Sequence, residues 1–169
     1  MSMLRLFLIK AGEWLNQRTI ATLLQVSPPA VAKALPLLER EEMILVKRDK
    51  KMNLNLVSLN RNLQSVLQYK RSENLKLLYE LGLVLFLEDS FPGSTIILFG
   101  SYARGEDTTK SDMDIAVVGA KQKKIDLSKY EKIFEREIRL QFYTSLKEIH
   151  KELRENICNG IVLVGSIEL

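Results

Sequence analysis

The chain has 169 residues, 46% hydrophobic and 27% charged, which is enough for one ordinary core or two small ones and unlike a disordered chain. No apolar run approaches the roughly eighteen residues needed to span a bilayer, and the richest, residues 81–87, is flanked by Glu80, Glu88 and Asp89. A net charge of +4, with Lys and Arg outnumbering Asp and Glu over residues 1–60, permits a nucleic-acid partner without requiring one.

The N-terminus shows neither a small-residue cleavage site nor a long apolar segment, so no signal peptide is expected. Leu4 onward suggests a short helix broken near Gly12, followed by an extended piece at Trp14-Leu15. Thr19 precedes a helix with Ile20, Leu23 and Leu24 on one face and Ala21 beside them, closed by Val26. Ser27 is a good N-cap for the next helix, and Pro28 stands at its first position, where a missing N–H does no harm. That second helix runs to about Arg40 on a stripe of Val31, Ala34, Leu35 and Leu38, with a bend expected at Pro36. Residues 44–48 and 53–59 read as two strands joined by a basic turn.

This order of two close helices followed by a hairpin resembles winged-helix DNA-binding domains. The resemblance implies phosphate contacts from Lys33 and Arg40 on and after the recognition helix and from Lys47, Arg48, Lys50 and Lys51 on the wing. Base reading would be thin, because Pro28, Pro29 and Ala30 occupy the start of that helix. A docking or dimerisation module with a solvated basic wing is the alternative.

Residues 60–91 are helical in pattern, with a break or bend expected at the polar cluster 69–74 and an end at Pro92-Gly93. The apolar stripe is long enough to suggest a homodimer contact. Ile96 to Phe99 then form a buried strand running into Gly100-Ser101, a tight turn that opens a short helix. Past a polar loop, Asp112 and Asp114 lead into a second apolar run, residues 115–118. Residues two apart on a strand share a face, so the two carboxylates point the same way. Exposed backbone N–H groups beside aligned carboxylates offer what a magnesium-bound triphosphate needs.

A further helix opens at Asp126-Leu127-Ser128 and carries Tyr130, Ile133 and Phe134. Residues 138–143 form a third strand, and a closing helix from Leu146 to about Asn159 carries Ile149, Leu153 and Ile157. Cys158, the lone cysteine, reads as a buried thiol in a reducing cytoplasm, and His150 sits on a solvated face without a second His or Cys, which argues against a zinc site.

Gly100-Ser101-Tyr102-Ala103-Arg104-Gly105 and Ser111-Asp112-Met113-Asp114 resemble the G-S-x-A-R-G and S-D-x-D pattern of the minimal nucleotidyltransferases, a branch of the DNA polymerase beta superfamily. The resemblance implies an α+β protein in which a winged-helix domain (1–60) and a helical connector (61–71) precede a small mixed-sheet nucleotidyltransferase domain (72–169) with helices mainly on one face. It implies ATP or another NTP bound by Gly100, Ser101 and Arg104, with Asp112 and Asp114 as catalytic ligands of Mg2+. Arg104 could equally pair with Glu106 or Asp107. Members that catalyse carry a third carboxylate on the later strand, and alignment puts Arg139 there. Glu137 is the candidate replacement, about 6–7 Å away along the strand. The implied function is transfer of AMP to a protein or small-molecule acceptor in the cytoplasm. The alternative is a DNA-binding regulator or antitoxin without turnover, and a HEPN-type toxin is an implied partner.

Overall fold

A computed structural model of the protein describes residues 1–167. The chain divides into two compact units, Met1–Glu73 and Asn74–Leu169.

In the first unit, α1 (Met3–Ile9) is capped by the Ser2 side chain, which accepts from the Arg5 N–H. The short β1 (Leu15–Asn16) feeds α2 (Gln17–Leu24), which starts earlier than the Thr19 signal suggests because Asn16 caps it, accepting from the Thr19 N–H at 2.9 Å. Gln25 adopts a left-handed conformation that ends α2, and Ser27 caps α3 (Pro28–Arg40) with Pro28 in the first turn, as expected. A bend of 105° separates α2 from α3, within the helix-turn-helix range. Ile20, Ala21, Val31 and Leu35 pack with Leu6, Phe7 and Val57 in one core. Leu23, expected on the same face, is instead 40% exposed. At about 100° per residue the buried arc is filled by Ile20, Leu24 and Ala21, and Leu23 falls off its edge. Pro36 lies exposed within one continuous α3.

The hairpin of β2 (Ile44–Asp49) and β3 (Leu54–Leu59) joins β1 in an antiparallel sheet of order β1-β3-β2. Its turn is closed by Asp49, whose Oδ1 accepts from the N–H groups of Lys51 and Met52 at 2.8 and 3.0 Å. This is the winged-helix arrangement.

The polar cluster at 69–74 does not break the chain's next helix, contrary to expectation: α4 runs unbroken from Gln64 to Glu80. Two of those polar residues have buried partners, which removes the reason for a break. The Lys70 ammonium donates to the Leu8 carbonyl at 2.9 Å, and Asn74 donates to the Tyr102 carbonyl and to Asp107. The interruption comes later, at Leu81-Gly82, where Gly82 has φ +75° and opens α5 (Leu83–Ser90).

The second unit is built on a sheet of order β6-β5-β4-β7, formed by β4 (Thr95–Phe99), β5 (Met113–Val118), β6 (Ile138–Tyr143) and β7 (Ile161–Val164). β4 is antiparallel to β5 and β7, while β5 and β6 are parallel and connected through α7 (Ser128–Phe134), so the sheet is mixed. Ile96, Leu98, Met113, Ile115 and Val117 face a core shared with α5 and α7. Ile97, Phe99 and Ala116 look the other way and meet Leu146, Ile149 and Ile157. The expected closing helix of 146–159 is two pieces, a 3-10 turn (Leu146–Glu148) and α8 (Lys151–Cys158), separated by the extended Ile149. Cys158 is free and half-buried, not buried as expected. Among the described residues no single helix is long and apolar enough to cross a membrane.

Candidate functional site

β4 delivers the chain to its turn. Phe99 pairs with Asp114 at the end of the β4–β5 ladder, and the next residue, Gly100, has φ +75°, a backbone that side chains rarely adopt. A Cβ on Gly100 would lie 2.7 Å from Asp114 Oδ2. The glycine is therefore required twice, for its conformation and because the Asp114 carboxylate rests against its backbone. The short α6 (Gly100–Arg104) follows, with Ser101 half-buried and Tyr102 and Ala103 in the core.

On the other side, Asp114 pairs with Arg139 in the parallel β5–β6 ladder, so Phe99, Asp114 and Arg139 form one row across the sheet and share a face. Arg139 is ion-paired with Asp112 and also bonds Glu137 at 3.1 Å. Burial first, and then the neighbouring Asp112, pushes the Asp114 carboxyl above its ordinary pKa, with Arg139 partly opposing them. Arg139 is held still more firmly in its charged form by its bond to Glu137, followed by the Asp112 charge. Farther along the same face, the Tyr143 hydroxyl donates to Gln141 at 2.7 Å, and its pKa is raised by burial and by Asp114.

Asp112 and Asp114 are hard oxygen donors on one face, a chemistry that suits a single magnesium ion. Glu137 does not complete a triad, since its carboxylate is engaged by Arg139. Among the described residues no group of three or more His, Cys, Asp or Glu is placed to hold a metal. Arg104 bonds Glu106 at 2.8 Å and the Asn156 side chain at 3.1 Å, which is the bridge to Glu106 left open by the sequence. A cleft of about 190 Å³ opens between Asp112, Glu137 and Arg139; a larger cavity of about 810 Å³ lies in the first unit, between the start of α2 and the wing turn.

One part of the site has no signal in the sequence pattern. Asp107 is fully buried and forms an ion pair with Arg136 at 3.0 Å, while Asn74 donates to its other oxygen at 2.7 Å. The same Arg136 nitrogen reaches the Thr108 and Ser111 carbonyls, and its guanidinium lies 4.8 Å from the centre of the Tyr102 ring. Ser111 immediately precedes Asp112, so this cluster anchors the loop that presents the aspartates. Only an acid and an arginine inside otherwise apolar surroundings could have signalled it, and neither position looks apolar in sequence.

Lys33, Arg40, Lys47, Arg48, Lys50 and Lys51 are all exposed. Lys47 and Arg48 are adjacent in β2 and so project from opposite faces of the hairpin. The Lys47 ammonium lies over the Trp14 ring at 3.9 Å, and Arg48 bonds Asn53 at 2.7 Å.

Residues 86–168 match the family model of polymerase beta nucleotidyltransferases. That part of the chain is a nucleotidyltransferase domain of the polymerase beta family. No curated protein matches the chain. The N-terminal part is similar to solved winged-helix proteins. One is ZitR of Lactococcus lactis, a zinc-responsive MarR family member, at 27% identity and a TM-score of 0.40, covering 55% of this chain and 64% of that one. A ZitR variant in complex with DNA gives 25% and 0.41 over 55% and 63%. The adhesin competence repressor AdcR of Streptococcus pyogenes gives 17% and 0.42 over 54% and 67%. The match spans about three fifths of the length of the ZitR chains. The winged-helix assignment itself rests on the element order and strand pairing described above.

Two outcomes are expected for the nucleotidyltransferase domain. Asp107→Ala strands a buried guanidinium and should destabilise this domain by about 3–5 kcal/mol, read from its urea-unfolding transition; a loss below about 1 kcal/mol would contradict the anchoring role. Asp114 has a raised folded pKa, so the native state holds a proton that the unfolded state releases, and stability falls as pH rises through that window. Asp114→Asn should therefore melt higher than wild type at pH 7, with the advantage shrinking as pH falls through the raised pKa. An unchanged or lowered melting temperature at pH 7 would refute this.

Proposed function

We propose that the C-terminal domain binds a nucleoside triphosphate, ATP by family resemblance, together with magnesium, that it transfers nucleotidyl groups weakly or not at all, and that the winged helix engages DNA. The observation that carries this reading is Arg139, in register with Asp114 and ion-paired with Asp112. The Gly100-Ser101 turn brings backbone close to the Asp114 carboxylate, which supports phosphate binding beside a metal ligand. Bound magnesium would offset triphosphate charge and orient its oxygens. Asp112 and Asp114 would hold it, and Gly100 and Ser101 would receive phosphate oxygens. Among the described residues, nothing on this face serves as a third acid for activating an acceptor: Arg139 is cationic and Glu137 is bound to it. The Arg104 guanidinium, already shared between Glu106 and Asn156, holds α6 to α8 and is a weaker candidate for phosphate than the backbone turn.

A second reading keeps turnover, with AMP passed to a protein or small-molecule acceptor; the pair Asp112 and Asp114 on one face favours it. A HEPN-type toxin partner rests on the resemblance alone. Incubation of purified protein with magnesium and alpha-labelled ATP separates the two readings. The expected result is little or no label on the protein or on a co-purifying partner, and on the order of tenfold more for Arg139→Asp. Brisk wild-type labelling that is abolished by Asp112→Ala and Asp114→Ala but untouched by Glu137→Ala would establish the transferase instead.

DNA binding is expected to be mostly electrostatic. Neutralising Lys47, Arg48, Lys50 and Lys51 together should weaken binding to all duplexes alike and flatten the log–log salt dependence by about 0.9 for each phosphate that the variant no longer neutralises. Because Lys47 and Arg48 lie on opposite faces, one of the two single changes should do much less than the other. An unchanged slope in the fourfold variant would remove the wing from the interface.

A further inference from the structure

Arg139 does more at this site than displace an acid. Its guanidinium touches Asp112 on one side and Glu137 on the other, and its strand position sets it beside Asp114. Three carboxylates and one guanidinium leave a net charge of two negatives on this face before nucleotide is added, where three carboxylates alone would leave three. The ligand supply is reduced as well. Glu137 is occupied by Arg139, Asp112 is shared with it, and only Asp114, resting against Gly100, has no cationic side chain paired to it among the ion pairs described. Gln141 and Tyr143, next along this face, are neutral and bonded to each other. Two ions held side by side need a carboxylate to bridge them and further oxygens to complete each shell.

We propose that Arg139 is a built-in cation taking the place of a second metal ion, so that the domain loads a triphosphate with one divalent ion. A fixed arginine also suits phosphate oxygens, to which it donates in pairs. Built this way, the domain retains its nucleotide without needing the metal concentration that filling a second site would demand. The inference rests on the nucleotide-binding reading above and specifies its ion stoichiometry.

The test is a count of Mn2+ bound per chain, by electron paramagnetic resonance on the full chain saturated with alpha,beta-methylene ATP, a non-transferable analogue. Wild type should hold one ion, Arg139→Lys should also hold one, and Arg139→Asp should hold two. In the absence of nucleotide, Arg139→Met should bind Mn2+ about tenfold more tightly than wild type, because the competing charge has gone without an oxygen ligand being added. Arg139 is half exposed, so these variants leave the core intact. Two ions in wild type, one ion in Arg139→Asp, or unchanged Mn2+ affinity in Arg139→Met would overturn the built-in cation while leaving nucleotide binding in place. Failure of every variant and of wild type to bind the analogue would overturn the nucleotide reading, and this inference with it.

Discussion

The site of this protein depends on a buried ion pair that touches none of its chemistry. Arg136 and Asp107, with Asn74 on the other carboxylate oxygen, fix both ends of the loop between α6 and β5. Without that anchor the polar loop of residues 106–111 has few apolar contacts to define its path, and the position of Asp112 would be left to it. The low exposure of both partners makes the pair costly to break, since a lone buried charge is far worse than a buried pair. Asn74 also holds the Tyr102 carbonyl in α6, so one amide ties the helix that follows the Gly100 turn and the aspartate-bearing loop to the same helix.

With the loop fixed, the sheet determines which groups meet. The β4–β5 ladder sets Asp114 over Gly100, and the β5–β6 ladder sets it beside Arg139. A parallel strand that slipped by one residue would turn its side chains to the opposite face, which is why the partner of Asp114 is specified by register and not by side-chain flexibility. The result is a face on which the carboxylates of Asp112 and Asp114, a permanently charged guanidinium and a third, engaged carboxylate lie close together. On the reading proposed above, its electrostatics suit one divalent ion with its nucleotide better than activation of a nucleophile.

Much of this is legible in the sequence for a physical reason. Gly100-Ser101 after a buried strand, Asp112 and Asp114 before another, and Ser27-Pro28 before a helix are local signals whose meaning depends on a few neighbouring residues. Arg139 is placed by the family resemblance, whose pattern sets it where an acid is expected, while its pairing with Asp114 is a matter of the β5–β6 register. The features that the sequence hides depend on tertiary partners. The cluster at 69–74 looks like a break because its residues are polar, yet Lys70 and Asn74 are buried with acceptors far away in the chain. Asp107 looks like a solvated loop acid for the same reason, and its partner lies almost thirty residues on. Leu23 reads as core on apolar character, and a small rotation of the helix leaves it in solvent. The split of the last helix at Ile149 reflects that residue's insertion into the second core, which periodicity does not register.

The central claim is that the Gly100 turn and the Asp114 carboxylate form one nucleotide and metal site. Calorimetry of ATP binding to wild type and to Gly100→Val tests it most directly, because a branched side chain there would meet Asp114 Oδ2 and close the approach to the backbone, at a position whose φ already disfavours it. The account predicts binding in wild type that needs magnesium and disappears with EDTA, and reduced affinity in a Gly100→Val protein that retains its fold by circular dichroism. Equal ATP affinity in the two proteins, or equal affinity with EDTA present, would contradict it.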